Sequence, residues 1–391
     1  MSAPRAAAAG ALALALAWPA AGARADQQAA RIAGPEQVVF SYAQSRCGDS
    51  DFPDLPARAF RGAHGRVQLI LSHYVNRRMI GRDLNHLTHP CAPIMASNGN
   101  DDPAAFDDRR WIASVYTLNG KTIFALVHEE YQGHLHPGHC PSGVYAMCWY
   151  NAVTFAVSTN GGKTYIQPRP PAQLVATIPN QYVPDHGPTG IFAPSNIVRK
   201  GAYYYALAQV IGPGGTPRGT CAMRTRSLAV PSAWRGWDGS GFTVQFADPY
   251  MGRRKSVPQY QCQPVSPAQI SQMRESLTYN TFFHSFLLVG QSRATDTQTG
   301  QTVWGFYFSL SNDLVHWSQR QLLMEATTTT SYACGGPDPI AYPSIIDPNS
   351  RSRNFETSGK RVYLYFTRFN YANCRQTNDR DLIRVPIELS Q

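Results

Sequence analysis

Short apolar segments alternate with polar turns along most of this chain. The clearest are VQLILS at 67–72, TIFALVH at 122–128, YYYALAQ at 203–209, FLLVGQ at 286–291 and VYLYFTR at 362–368. Each is rich in aromatic or aliphatic residues and is followed by a polar stretch, which is typical of β-strands. The pattern therefore predicts an all-β protein whose short strands are joined by turns.

A turn motif recurs after these strands. SLSNDLVHWS at 309–318 has counterparts in FAVSTNGGKTY at 155–165, CAMRTRSLAVPSAW at 221–234 and, less closely, RMIGRDLNHLTH at 78–89. Because the motif repeats, it belongs to the architecture and not to a site. We expect Trp317, Trp234 and Tyr165 to pack between repeats.

The segments that precede the strands can also be aligned. Ser114, Ser195, Ser276 and Ser344 fall in register, with Arg58 at the same position in the first copy. Five copies of a four-strand unit, roughly 70 to 85 residues apart, predict a five-bladed β-propeller. The last copy lacks its outer strand, and we expect QVVFSY at 37–42 to complete that blade and close the ring.

The first 25 residues predict a secretory signal peptide. Arg5 precedes the apolar run AGALALALAW, and Ala23-Arg24-Ala25 has the spacing of a cleavage site. The apolar run is too short for a membrane span, and no later stretch approaches the length of about 18 apolar residues that a span needs. We therefore expect cleavage after Ala25 and a secreted or periplasmic protein in which residues 26–391 form a single domain.

The charge pattern narrows the choice of partners. The chain has 35 basic and 25 acidic residues and a formal net charge of +10. The basic residues are spread out and form no stripe or tail, so we expect no nucleic-acid partner. We expect a monomer without a cofactor.

All eight cysteines lie in or beside long loops. An even number in an exported protein predicts four disulfides. From the expected proximity of the loops, we predict the pairs Cys47–Cys91, Cys140–Cys148, Cys221–Cys262 and Cys334–Cys374. The absence of a CxxC pair argues against a zinc site.

Acidic residues from three blades are expected on the face that carries the long loops. Asp51 and Asp54 precede the first inner strand, Glu129 and Glu130 end the second strand of blade two, and Glu275 opens the inner strand of blade four. Because neighbouring side chains alternate along a strand, only one of the two glutamates can face the pocket. Converging carboxylates are the groups that glycoside hydrolysis uses.

Glu275 departs from the repeat. The aligned positions hold Ala57, Ala113, Pro194 and Pro343, so packing does not require an ionisable group there. A catalytic carboxylate is one interpretation. An ion pair with Arg58 or Arg274 is the other.

Further residues of this face could contact a substrate. His73 could orient a hydroxyl group or act as an acid, and Tyr74, Tyr131, Trp149, Tyr182 and Phe192 could stack on sugar rings. The predicted substrate contacts are Asp51, Arg58, His73, Glu129, Trp149, Phe192 and Tyr342.

Two histidine-containing motifs suggest a metal. HEEYQGH at 128–134 lacks the second histidine of HExxH, since Gln132 stands there. HLHPGH at 134–139 could bind a metal, but loop histidines without a metal are commoner, and we predict no metal site.

The repeat resembles the five-bladed glycoside hydrolases of the arabinanase, xylosidase and fructosidase type. SLSNDLVHWS is similar to their S-x-D-L-x-x-W turn, and APSNIVRKGAYYYAL at 193–207 is similar to the start of their blades. The resemblance implies that Asp54, or failing that Asp51, acts as base or nucleophile, that Glu130 adjusts its pKa, and that Glu275 is the acid. Two departures are that Leu55 separates Asp54 from the usual proline, and that 194–196 reads PSN where the family often has its acid.

The sequence thus predicts an exported hydrolase of an oligo- or polysaccharide, with a furanosidic bond of arabinan or fructan type as the resemblance implies. Three alternatives stay open: a propeller that binds a glycan or a protein without catalysis, a metal-dependent enzyme that uses the HLHPGH loop, and a sialidase-like enzyme. STNGGKTY at 158–165 resembles the sialidase Asp-box, but such an enzyme needs a sixth repeat and an arginine cluster.

Overall fold

The computed structural model describes residues 29–251, 258–296 and 298–391. The expected signal peptide lies outside these ranges. The described residues form an all-β protein whose curled antiparallel sheets are consistent with a β-propeller. None of the described helices is long and apolar enough to cross a membrane.

The strands are short, as the alternating pattern predicts. In chain order they are β1 (Ala29–Ile32), β2 (Gln37–Phe40), β3 (Arg58–Arg61), β4 (Val67–Leu71), β5 (Val75–Gly81), β6 (Leu87–Thr88), β7 (Met95–Ala96), β8 (Arg109–Thr117), β9 (Ile123–Gln132), β10 (Trp149–Ser158), β11 (Leu174–Ala176), β12 (Thr189–Phe192), β13 (Val198–Lys200), β14 (Tyr203–Ile211), β15 (Arg218–Thr225), β16 (Arg235–Gly236), β17 (Val244–Gln245), β18 (Ser276–Asn280), β19 (Ser285–Thr295), β20 (Thr302–Ser311), β21 (Gln321–Glu325), β22 (Ile340–Ile346), β23 (Thr357–Ser358), β24 (Arg361–Phe369) and β25 (Arg380–Ser390).

Helices are confined to single turns in the described ranges. The α-helical turns are α1 (Tyr42–Ser45) and α2 (Pro267–Ile270), and the 3-10 turns are Pro103–Ala105, Gly133–Leu135, Tyr145–Cys148, Pro213–Gly215, Pro231–Ala233 and Pro258–Tyr260. The turn at Tyr145–Cys148 is the one that bears on the candidate site.

The strands pair mostly with their neighbours in sequence. β3 to β6 form one antiparallel meander, β8 to β11 a second, and β18 to β21 a third. β12 pairs in parallel with β10 and antiparallel with β14, and the sheet continues through β15, β16 and β17. The second meander and the strands β12 to β17 therefore form one continuous sheet. Sequential pairing of this kind is what a repeated four-strand unit predicts.

The N-terminal strands pair with the end of the chain. β22, β24 and β25 form an antiparallel sheet, and both β1 and β2 pair with β25. The sequence predicted this pairing for 37–42, although the strand ends at Phe40 and α1 follows. β1 was not predicted, because AARI is short and mostly exposed.

Five segments of the chain meet at Arg58. Its guanidinium donates hydrogen bonds to the carbonyl oxygens of Ala57 (3.4 Å), Ala113 (2.8 Å), Pro194 (3.5 Å) and Glu275 (2.6 Å) and to the Ser344 hydroxyl (3.3 Å). Ala57, Ala113, Pro194 and Glu275 occupy one aligned position of the sequence repeat, and Ser344 occupies the next position in the last copy. Burial lowers the pKa of Arg58 to about 9, so the group is still cationic at neutral pH.

The repeated turns use the same polar contacts. In SLSNDLVHWS, Asp313 accepts the amide N–H groups of Val315 and His316, and Ser311 accepts that of Leu314. In FAVSTNGGKTY, Asn160 and Ser158 accept amide N–H groups in the equivalent places. The predicted packing residues Trp317, Trp234 and Tyr165 are buried in the hydrophobic core, which confirms a structural role for the motif.

The loop at 348–360 crosses the far end of the first strands of the repeats. It makes hydrogen bonds to four other segments: Arg353 to Gly62 (2.9 Å), Asn354 to Thr117 (2.8 Å), and Glu356 to Arg199 (2.9 Å) and Tyr279 (2.8 Å). It also contributes β23, which pairs with β18. One loop therefore ties together the turns of the sheets that flank it.

The four predicted disulfides are all present. They join Cys47 to Cys91, Cys140 to Cys148, Cys221 to Cys262 and Cys334 to Cys374. Each closes a loop of the chain, which restricts the unfolded state and so stabilises the fold.

Candidate functional site

A cavity of about 680 Å³ is lined in part by Pro194 and Glu275, whose carbonyl oxygens bind the Arg58 guanidinium. It is lined by Leu55, Pro56, Trp149, Ala193, Pro194, Gln209, Arg218, Ser271, Gln272, Arg274, Glu275, Gln291, Ser292, Arg293, Trp304, Thr329, Thr330, Ala341 and Tyr342. The segments that lead into the first strands of four repeats thus contribute to one wall. Its volume is within the usual range of small-molecule sites, about 300–1,000 Å³.

Asp54 lies directly beside this cavity. Its Oδ1 accepts hydrogen bonds from the Tyr342 hydroxyl (3.1 Å) and from the guanidinium of Arg380, while its Oδ2 is 4.0 Å from Nε2 of His73. Tyr342 itself lines the cavity, as do Leu55 and Pro56, which follow Asp54 in the chain. Two donors therefore fix the direction of this carboxylate.

Tyr342 reaches Asp54 from an uncommon backbone position. Its φ is +60°, and the pairing of β22 with β24 shifts register between Ala341 and Ser344. A bulky residue in the left-handed region is an outlier, and bulges of this kind often turn a side chain toward a functional site. Burial and the nearby Asp54 charge raise the pKa of Tyr342, so its hydroxyl stays a donor.

His73 packs among aromatic rings behind Asp54. Its ring centroid is 3.9 Å from that of Phe52 and 3.8 Å from that of Tyr74. Burial lowers the pKa of His73 to about 4, although the Asp54 charge opposes the shift. The imidazole is therefore neutral at physiological pH.

This shift predicts a pH dependence of stability. A histidine in the unfolded chain has a pKa near 6.5, so it binds a proton below that pH. Folded His73 stays neutral down to about pH 4, so between these values the unfolded state binds one more proton than the folded state. The free energy of unfolding should therefore fall as the pH drops from 7 to 4.5, and His73 should account for about 2 kcal/mol of the fall. Urea unfolding of His73→Gln should show a fall smaller by that amount. Exposed His64→Gln is the control, and equal falls in both variants would contradict the prediction.

Glu130 is held by side chains of β9 and of the loop that follows it. Its Oε1 is 2.9 Å from Nε2 of His128, and its Oε2 accepts hydrogen bonds from Gln132 (2.6 Å) and from the Tyr145 hydroxyl (3.2 Å). Burial and the charges of Glu130 and Asp54 raise the pKa of Tyr145. The charges of both carboxylates therefore disfavour ionisation of the Tyr145 hydroxyl.

Aromatic rings connect the surroundings of Asp54 and Glu130. Successive ring centroids within 6.5 Å of each other lead from His73 through Trp111, His128, Phe192 and Trp149 to Tyr145. Of these, Trp149 lines the cavity. Phe192 is buried behind it and supports its indole ring.

Glu275 lines the cavity itself. Its Oε2 accepts the Arg274 amide N–H (2.9 Å), and its Oε1 is 3.8 Å from the Arg274 guanidinium. Gly290 on the adjacent strand leaves the room that the carboxylate occupies, because a Cβ at this position would collide with Oε2. The ion pair with Arg274 considered from the sequence is thus present, and Glu275 still faces the cavity.

Asp51 and Glu129 point elsewhere. Asp51 accepts hydrogen bonds from the Cys47 amide (2.7 Å) and from His89 (2.7 Å), and these contacts lower its pKa against the effect of burial. Glu129 is buried on the opposite side of β9 from Glu130, and burial raises its pKa well above the ordinary value. The expected alternation is confirmed, although Glu129 is buried where an outward-facing side chain was expected.

Four other residues that the sequence placed near the substrate make contacts outside the cavity. Arg58 bonds to main-chain carbonyls below the cavity. Tyr131 and Tyr182 pack on each other, with ring centroids 4.8 Å apart, beside the loop that contains His139. The Tyr74 hydroxyl pairs with Ser50 at 2.9 Å. These rings are not among the cavity-lining residues described above.

The histidines of HLHPGH contact other side chains of the protein. His134 packs on Tyr145, His136 contacts Asp108 at 2.9 Å, and His139 bonds to Tyr131. Within the described ranges, the two clusters with metal-ligand spacing are Cys47–Asp51–His89 and Cys140–Cys148–Asp185. Both contain disulfide-bonded cysteines, which offer no thiolate to a metal.

Several residues of the site, Arg293 of β19 among them, were missed from the sequence. Tyr145 lies in the loop closed by Cys140–Cys148, and Arg380 comes from the last strand of the chain. Trp304 and Arg218 line the cavity from β20 and β15. Arg380 and Arg218 lie far along the chain from Asp54 and Gln272, the groups that they meet. Tyr145 lies 15 residues from Glu130, in the loop that follows the same strand.

Comparisons with known proteins concern the fold. The structure is similar to the α-L-arabinanase of Cellvibrio cellulosa complexed with arabinohexaose, at 12% identity over 88% of this chain and 91% of that chain, with a TM-score of 0.47. It is similar to the catalytic domain of the Coprinopsis cinerea GH62 α-L-arabinofuranosidase, at 9% identity over 90% and 95%, with a TM-score of 0.45. An N-acetylgalactosamine deacetylase from F. plautii, in complex with blood group B trisaccharide, gives 11% identity over 90% and 95% and a TM-score of 0.45.

These solved structures include glycoside hydrolases, the class of protein that the repeat resembles. No family model and no curated protein sequence matches the chain. Since one fold carries many activities, the function has to be inferred from the side chains of the site.

Proposed function

We propose that this protein is an exported five-bladed β-propeller that hydrolyses a glycosidic bond in the cavity above Arg58. The contacts of Arg58 with five aligned segments support the blade number, and the pairing of β1 and β2 with β25 supports closure of the ring. A propeller closed in this way brings loops from every blade to one central pocket.

The observation that carries the proposal is the position of Tyr342. Its hydroxyl binds the Asp54 carboxylate, and its side chain lines the same cavity as Glu275. Tyr342 thereby links the Asp54 carboxylate to a cavity that Glu275 lines and that is large enough for a sugar, which supports a shared role for the two carboxyl groups. Glycoside hydrolysis requires such a pair of carboxyl groups at one pocket.

Each carboxyl group has a role in this proposal. Asp54, held by Tyr342 and Arg380, acts on the anomeric carbon directly or through a water molecule. Glu275 protonates the oxygen of the leaving sugar. Glu130 supplies a fixed negative charge near both tyrosines, which adjusts the proton affinity of the neighbouring groups.

Aromatic side chains position the sugar. Trp149 and Trp304 are the two indoles that line the cavity, and indole faces stack on the apolar faces of sugar rings. The resemblance to arabinanases and fructosidases favours a furanosidic bond.

The test is release of reducing sugar by the mature protein from a panel of polysaccharides. Glu275→Gln should lower the rate on the best substrate by about 10²–10⁴-fold, because general acid catalysis contributes that much. Glu129→Gln is the matched control, since Glu129 is buried away from the cavity, and its rate should stay within a few-fold of the native rate.

Absence of release from every member of the panel would contradict catalysis and favour a glycan-binding propeller. Activity that is lost to a chelator and restored by a divalent cation would favour the metal-dependent alternative.

A further inference from the structure

The charge of the cavity wall carries an inference that rests on the proposed function. Three arginines, Arg218, Arg274 and Arg293, line the cavity, and Glu275 is the one acidic residue of the lining described here. The lining therefore has a formal charge of +2. A site for a purely neutral sugar does not need this excess.

These arginines are mostly free of carboxylate partners. Among the described residues, no carboxylate oxygen is recorded within 4.0 Å of the guanidinium of Arg218 or Arg293, while Arg274 is 3.8 Å from Oε1 of Glu275. Nε of Arg274 is buried and has no hydrogen-bond partner in the described part of the chain. A guanidinium has five N–H donors, so donors stay available for a ligand.

Neutral contacts hold the arginines in place. Nε of Arg218 donates to Gln272 (3.2 Å), and Nη1 of Arg274 donates to the Gln272 carbonyl oxygen (3.4 Å). The Arg293 guanidinium lies over the Trp304 ring, 5.0 Å from its centroid. Such contacts orient a guanidinium without neutralising it, which is the condition under which it binds an anion.

We propose that the cavity binds an acidic sugar unit next to the cleaved bond, with the arginines contacting its carboxylate, sulfate or phosphate group. Arg274 lies beside Glu275, so the anion is placed on the leaving-group side of the bond. A guanidinium can make paired N–H···O contacts with a carboxylate or with a tetrahedral oxyanion, so the binding test has to distinguish them.

The test measures equilibrium binding and does not depend on turnover. Asp54→Asn, which lacks the proposed base or nucleophile so that bound sugars are not cleaved, is titrated calorimetrically at low salt with matched oligosaccharide pairs. The pairs are galacturonate against galactose trimers, glucuronate-containing against glucose trimers, and sulfated against unsulfated galactose trimers. At least one acidic member should bind about tenfold or more tightly than its neutral counterpart, and added salt should reduce the difference.

Arg274→Gln in this background should lower affinity for the acidic member by about tenfold and leave the neutral member unchanged, since a charge-assisted hydrogen bond is lost. Arg361→Gln has the same charge change on an exposed side chain outside the cavity and should bind as the parent does. The carboxylate and sulfate pairs identify the anion.

Equal binding of both members of every pair, or binding of none, would overturn the inference. The outcome is separate from that of the proposed function. If the native protein cleaves neutral glycans with no effect of Arg274→Gln, the inference fails and the hydrolase stands. If acidic sugars bind and the native protein cleaves none of them, the hydrolase fails and the binding site stands.

Discussion

Replacing Asp54 by asparagine is expected to lower kcat on the best glycan substrate by about 10³-fold or more. The asparagine oxygen can still accept hydrogen bonds from Tyr342 and Arg380, so the geometry is largely kept while the negative charge is lost. A neutral amide can neither take a proton from water nor attack the anomeric carbon. The loss should therefore appear in kcat, with KM changed much less.

Asp51→Asn is the matched control for this experiment. Asp51 lies three residues earlier and was the second choice for the same role in the sequence, but its carboxylate faces Cys47 and His89. We expect this variant to keep its kcat and to lose stability. A larger loss of kcat in Asp51→Asn than in Asp54→Asn would contradict the assignment of the base or nucleophile.

The anomer of the first product adds to this measurement. Retention of configuration, followed by proton NMR, would identify Asp54 as a nucleophile, and inversion would identify it as the base that activates water. Either result is consistent with its position beside the cavity.

The second large effect is expected at Arg58. Replacing it by methionine should lower the free energy of unfolding by about 3 kcal/mol or more, because the carbonyl groups of Ala113, Pro194 and Glu275 lose a buried donor. Methionine fills much of the space, so the effect isolates the hydrogen bonds from the packing. Denaturant unfolding followed by circular dichroism measures it.

Two further variants sharpen that test. Arg58→Lys keeps the positive charge but has fewer N–H donors, so it should recover part of the free energy of unfolding that Arg58→Met loses. Arg66→Met removes an exposed arginine and should change stability by about 0.5 kcal/mol or less. An Arg58→Met variant as stable as the native protein would show that the convergence of five segments does not depend on this residue.

Much of the fold could be predicted because it repeats. The alternation of apolar and polar positions located the strands, and the aligned serines, all of them buried, marked the inner segments. The disulfides followed because the paired loops neighbour each other in the repeat. A pattern that occurs several times is visible in a single sequence, whereas a contact made once is not.

Most contacts of the candidate site occur once and could not be predicted from the sequence. Arg380 lies 326 residues from Asp54 and meets it only because the last strand packs beside the first repeat. The φ of Tyr342 depends on a bulge, which the residues around Pro343 do not specify by themselves. The arginines of the cavity come from β15, the segment before β18, and β19, and nothing in their local sequence relates them.

The loop at 348–360 bears on the side from which a polysaccharide could reach the cavity. It bonds to the ends of the first strands opposite those that lead into the cavity, and Arg58 occupies the space between. Among the described residues, this loop and Arg58 therefore cover the side of the first strands that faces away from the cavity. Under the proposed function, a polysaccharide enters from the side of the long loops and its product departs on that same side.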